Sequence, residues 1–182
     1  MILLLGIGLA IVVGLLRGGN LRNLGSIRVR WAWLVLVALT MQVALGRLPT
    51  DWSGTARLLF PLTHLAILVV AWVNRDLSGM RLFAAGVLLN LVVIVGNGGF
   101  MPVEPEALVS AGIAESVEFV PLYSRVAGSK ALVLPRAETA LWWLSDIIAL
   151  RPIKTIVSLG DLLMVPGVFL LVEEGILNQE DE

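Results

Sequence analysis

LLFPLTHLAILVVAWV, residues 58–73, is the stretch from which the rest of this chain is read. It holds no charged residue, and Asn74-Arg75-Asp76 closes it. A helix rises ~1.5 Å per residue, so crossing about 30 Å of hydrocarbon takes roughly 20 residues, with about 17 as a working lower limit. The run comes close to that limit, and it has company. Similar apolar runs cover 1–16, 31–46, 82–97 and 153–172, separated by short polar turns such as Arg17-Gly18-Gly19-Asn20. Trp31 and Trp33 open the second run, where an indole suits a headgroup boundary.

Composition agrees. The 182 residues are 58% apolar and only 15% charged, against about 25% charge in an ordinary soluble domain. A surface that apolar needs lipid as its solvent. The net charge of −1 provides no basic field for nucleic acid. Cysteine is absent, which removes disulfides, thiolate metal sites, Fe–S clusters and cysteine nucleophiles together. The first run has no basic residues before it and no small-residue cleavage site after it, so it reads as a retained helix. The expected fold is therefore all-α: a polytopic transmembrane bundle of about five spans forming a single domain, with an outer loop over 98–152 that contains interfacial helices.

Orientation follows from the arginines of the short loops. Arg17, Arg22, Arg28 and Arg30 follow the first run, and Arg75 and Arg81 flank the third loop, whereas Arg47 and Arg57 bound the second. The positive-inside rule then puts the N-terminus outside and the C-terminus in the cytoplasm of a multi-pass inner (plasma) membrane protein. In the outer loop, Pro105 opens a short helix and Gly112 ends it. Residues 137–150 read as a longer helix in the interface plane. Ala140, Leu141, Leu144, Ile147 and Ile148 recur at helical spacing, with Trp142 and Trp143 at headgroup level. Asp146 should point over the pocket mouth, within reach of backbone N–H groups in 97–102 or of Arg125 or Lys130.

Polar side chains inside the runs are few. Thr40, Gln42, Thr63, His64, Asn90, Asn97, Ser158 and Asp161 are the ones to weigh. An ionisable group at membrane depth costs about 2.5–3.5 kcal/mol on insertion scales and by default marks a functional position. From the run boundaries, His64 lies roughly 9 Å and Asp161 roughly 12 Å below the outer surface. These depths suggest a polar pocket open to the outside and roofed by the loop, built from Asp161, His64, Asn97, Asn90, Asp146 and Ser158. Uncharged polar groups often only bond across helices, at about 0.6 kcal/mol each, which is the plainer reading of Asn90, Asn97 and Ser158. A lone histidine cannot make a bis-histidine or histidine-rich site, so no metal and no cofactor are expected.

The most distinctive local pattern is Gly96-Asn97-Gly98-Gly99-Phe100-Met101-Pro102, which suggests backbone folded closely against the bundle. With Thr139-Ala140-Leu141-Trp142-Trp143-Leu144-Ser145-Asp146 and Ser158-Leu159-Gly160-Asp161, it resembles a bacterial family of membrane proteins of unknown function, domain of unknown function 5317. The resemblance covers the second half well and the first half through hydropathy alone. Family members often carry a Lys-His pair in the loop; here Ala131 follows Lys130, so a loop-histidine mechanism is not available. The resemblance brings no activity.

Two functions are expected. The first is a non-catalytic subunit or accessory protein of a larger membrane complex, with membrane lipid and a protein partner around it. It follows from the small size and from the absence of any G-x-x-x-x-G-K-[ST], G-x-S-x-G or H-E-x-x-H motif. The alternative is an outer-face binding protein or enzyme that takes a lipid or small molecule into the polar pocket.

Overall fold

The computed structural model describes residues 2–47, 54–126 and 129–178. Most of the second loop and the acidic residues 179–182 lie outside that description. The long helices are α1 (Ile2–Leu16), α2 (Ala32–Arg47), α3 (Gly54–Val73), α4 (Met80–Gly96) and, after a short α5 (Pro105–Ser110), α6 (Leu159–Leu177). Between α4 and α6 the chain forms short strands, β1 (Met101–Val103), β2 (Ala131–Val133), β3 (Ile148–Leu150) and β4 (Thr155–Val157), linked by single 3-10 turns.

The expected five-span, all-α bundle is corrected on both counts. Among the described residues only α3, with 20 residues and a mean hydropathy of 1.9, is long and apolar enough to cross a membrane. Helices α1, α2 and α4 stop at 15, 16 and 17 residues, so the longest of them spans about 25 Å. Each loses length to its flanking turn. Gly18 leaves α1 at positive φ, and Gly79 enters α4 at φ +70°. Helix α6 has 19 residues but carries Asp161, Glu173 and Glu174. The strands also take residues that had been assigned to helix.

The second correction concerns 137–150, which is not an interfacial helix. It is two 3-10 turns, Arg136–Glu138 and Trp142–Leu144, followed by β3. Leu141 sits in the left-handed region at φ 53°, which no α-helix passes through. Trp142 lies beneath the Arg136 guanidinium, 3.2 Å from the ring centre. Strand β3 then pairs antiparallel with β4, so the residues expected to begin the fifth span close a hairpin instead. Helix α6 starts only at Ser158, whose hydroxyl accepts from the Asp161 N–H while the Asp161 carboxylate accepts from the Ser158 N–H. That reciprocal cap satisfies two of the N–H groups a helix start leaves open.

Contacts order the helices. Helix α6 lies between α1 and α4, α3 packs on the far side of α4, and α2 is outermost against α3. Helix α1 runs parallel to α6, since Gly6 faces Val165 and Gly14 faces Ile176. Helix α4 runs antiparallel to α6 along a seam of glycines. A Cβ on Gly86 would collide with the Gly160 carbonyl, and one on Gly79 with the Gly167 carbonyl. Small residues let two backbones approach closely, which is how helices pack where apolar side chains gain little over lipid.

The segment between α4 and α6 folds over the ends of the helices as a small module with its own core. Val103, Ala107, Leu108, Val120, Ala131 and Val133 form that core. Phe100, Met101 and Leu144 join Leu45, Phe60, Val93 and Ile94 to tie it to the helices. Pro61 has no N–H for the Arg57 carbonyl one turn earlier, and the backbone of Gly99 packs against that same carbonyl. At φ +91°, with no room for a Cβ, Gly99 is the one residue type that fits.

Candidate functional site

Strand β1 is the centre of the site. On one side it pairs in parallel with β2, Met101 opposite Ala131, which brings the preceding Lys130 beside it. On the other side the Asp146 N–H donates to the Pro102 carbonyl at 3.2 Å. Two charged residues far apart in sequence are thus hung on the two edges of one short strand. Below them open α3, α4 and the first turn of α6. The result is a cavity of about 170 Å³ whose polar lining is His64, Asn90, Ser129, Lys130, Asp146 and Asp161, with Phe60, Ile94 and Met101 among its apolar walls.

Each wall is held by a defined set of bonds. Asn90 donates from Nδ2 to Asp161 Oδ1 at 3.1 Å, and its Oδ1 accepts from the Ser158 hydroxyl at 2.7 Å. The Asp161 carboxylate is therefore bound by Asn90 through one oxygen and by the Ser158 N–H through the other, at 3.1 Å. Gly160 makes this possible, because a Cβ there would strike the Asn90 amide. Opposite, Lys130 Nζ donates to Gln42 Oε1 at 2.8 Å and sits 5.2 Å from the centre of the Phe60 ring. Gln42 passes the link on, donating from Nε2 to the Thr63 hydroxyl at 3.0 Å. The Arg125 guanidinium donates to the carbonyls of Leu45 and Gly46 at the end of α2 and to Ser129, fixing the strand of chain that presents Lys130.

His64 lies about 15 Å along α3 from Gly54. Its Nδ1 is 3.2 Å from the Phe60 carbonyl and 3.4 Å from Gln42 Nε2. Nδ1 donates to the carbonyl in one tautomer and accepts from the Gln42 amide in the other. His64 and Asp161 share the cavity, and no hydrogen bond joins them among the described residues. Asp146 has no side-chain hydrogen bond to the protein among the described residues. Burial, and then the neighbouring Asp161, push its carboxyl well above the usual value, partly opposed by Lys130. Burial pushes the Lys130 ammonium below its usual value, partly opposed by Asp161 and Asp146.

Of the six candidate residues, Asp161, His64, Asn90 and Asp146 line the cavity, and Ser158 stands directly behind Asn90. Asn97 does not line it. Its amide clamps Ala140, donating to the carbonyl and accepting from the N–H at 2.9 Å each, and so fastens the module to the end of α4. Asp161, expected well inside its run, belongs to the first turn of α6 and lies about 3 Å along from Leu159. Ser129 and Lys130 line the cavity and were not among the expected pocket residues; Gln42 stands behind Lys130 as its hydrogen-bond acceptor. The signal for Lys130 was its isolation between Ser129 and the apolar run 131–134.

The chain belongs to a family of unknown function, DUF5317, whose family model matches residues 26–173. That range contains the whole cavity. No curated protein and no solved structure matches the chain.

Proposed function

We propose that this is a membrane-embedded binding protein that takes the polar group of a lipid or small molecule into the cavity beneath β1. The observation that carries the reading is the convergence of His64, Asn90, Lys130, Asp146 and Asp161 from distant parts of the chain on one open volume. A structural role would only need these groups to bond one another, and Asp146 bonds none of them. Membrane embedding is supported by α3 and by large apolar side chains left exposed on other helices, among them Leu4, Leu16, Leu36 and Val95. Lipid or a partner would cover large apolar side chains exposed along several helices. The arginines near the C-terminal end of α1 and between α3 and α4 support a cytoplasmic placement of those turns.

The test is what leaves the membrane with the protein. Purification in mild detergent, followed by organic extraction and mass spectrometry, should yield a small molecule or lipid from the wild type. Ser129→Phe, which fills the cavity from its rim, should lose it. A stoichiometric protein partner with no extractable ligand would sink the binding reading in favour of an accessory subunit.

A further inference from the structure

The cavity holds charges of both signs that do not meet. Among the described residues no ion pair joins Lys130 to Asp146 or Asp161. Lys130 donates to Gln42 and rests on the Phe60 face, which leaves N–H donors of its ammonium uncommitted. Among the described residues the Asp146 side chain accepts no hydrogen bond, and each oxygen of Asp161 has accepted one. All three line the same 170 Å³. Groups of opposite charge that are drawn into a protein and held apart are costly unless something between them meets both.

We infer that the occupant is a small zwitterion, with a protonated amine seated against Asp146 and Asp161 and an anionic group on Lys130. The inference rests on reading the cavity as a binding site. A ligand of one sign fails at one pole. A simple amine leaves Lys130 without a counter-ion, and a simple anion faces two carboxylates. Size points the same way, since the volume matches roughly five or six waters, enough for a headgroup or a small amino acid and too little for a nucleotide. An ammonium beside a phosphate or carboxylate has two sources, an ethanolamine-type lipid headgroup or a free amino acid.

The titrating groups fit such an exchange. Facing Asp146 are Asp161 from α6, Lys130 from the segment before β2 and His64 from α3. Burial moves the Asp146 carboxyl up and the Lys130 ammonium down from their usual values, and each of the two partly opposes the shift of the other. An arriving ammonium favours the ionised form of Asp146, and an arriving anion favours the protonated form of Lys130. Affinity should therefore climb as pH rises through the raised Asp146 value and fall again once Lys130 deprotonates.

The experiment uses the full chain in nanodiscs of phosphatidylglycerol alone, with titration calorimetry. Glycerophosphoethanolamine and β-alanine carry both charges, glycerophosphoglycerol only the anion, and ethanolamine only the amine. At least one zwitterion should bind ten-fold tighter than either half-ligand, and Asp146→Asn or Lys130→Gln should each remove that preference. If those variants do not fold, the comparison of four probes on the wild type decides alone. Loss of glycerophosphoethanolamine binding when phosphatidylethanolamine is added to the disc assigns the headgroup; tighter β-alanine binding without that competition assigns a free amino acid. Equal binding of the half-ligands, or no binding by either zwitterion, overturns the inference. An extracted neutral ligand that Ser129→Phe loses would leave the binding reading standing and remove only the zwitterion.

Discussion

Helix α6 meets α4 through glycines, while α2 leans on the remaining helices through the side chains of Ala38, Gln42 and Leu45, and the two contacts behave differently. Along the α4–α6 seam, Gly79, Gly86, Gly160 and Gly167 leave no space for a methyl group. Backbones that close position Asn90 against Asp161 without a gap. Along α2 the contact is close from its middle onward, where Ala38 packs with Ile67, Val87 and Met164, Gln42 bonds Thr63 and Leu45 joins the core. Towards its N-terminal end an apolar cleft of about 330 Å³ opens, walled by Val35 and Leu36, Ile67 and Val70, Phe83 and Leu171. The polar site is thus built where packing is tightest, because hydrogen bonds between fixed donors and acceptors require a rigid frame, and the apolar cleft lies where nothing has to be aligned.

That contrast can be broken most severely at Gly160. Gly160→Val would drive a branched side chain into Asn90 and the Gly86 carbonyl. Overpacking of this kind should cost about 3 kcal/mol, visible as a large fall in the unfolding midpoint in detergent. A midpoint close to wild type would mean the seam is not tight.

Asp161→Asn should have a smaller effect. An amide can accept from Asn90 or from the Ser158 N–H but does not reproduce both charge-assisted bonds. Loss of the reciprocal cap should destabilise by about 1–2 kcal/mol and abolish ligand retention. Asp161→Asn and Asp161→Leu that both retain ligand would remove the carboxylate from the site.

Asp146 contributes a pH dependence with a defined sign. Its folded value is raised above the ordinary 3.8, so in that interval the folded state binds more protons than the unfolded one. Stability therefore falls as pH rises from about 4 through the raised value, and levels off above it. Asp146→Asn should flatten that slope in unfolding experiments run across pH. A slope unchanged in the variant would assign the titration elsewhere.

The gentlest perturbation is Ala32→Leu in the α2 cleft. Space is available there, so the midpoint should move by no more than about 0.5 kcal/mol equivalent. A loss comparable to that at Gly160 would erase the distinction between the two contacts.

The sequence by itself determined where most of the long helices run and set out the few polar residues along them. Long apolar runs bounded by Arg-Gly and Asn-Arg turns leave the backbone little choice but helix, and each polar group within them stands out against its neighbours. It did not determine helix length to the turn or two that separates a span from a shorter helix, because caps such as Ser158–Asp161 and glycines such as Gly79 decide the ends. Nor did it determine 137–150, whose apolar spacing suits a helix until Leu141 turns left-handed, Trp142 goes under Arg136 and Ile148–Leu150 pairs with β4. The sequence names Lys130 only as one candidate neighbour of Asp146, and the tertiary structure decides its place in the cavity. Only the parallel pairing of β1 with β2, across some thirty residues of chain, brings it to the carboxylates, and no local pattern announces a contact whose free energy comes from residues that distant.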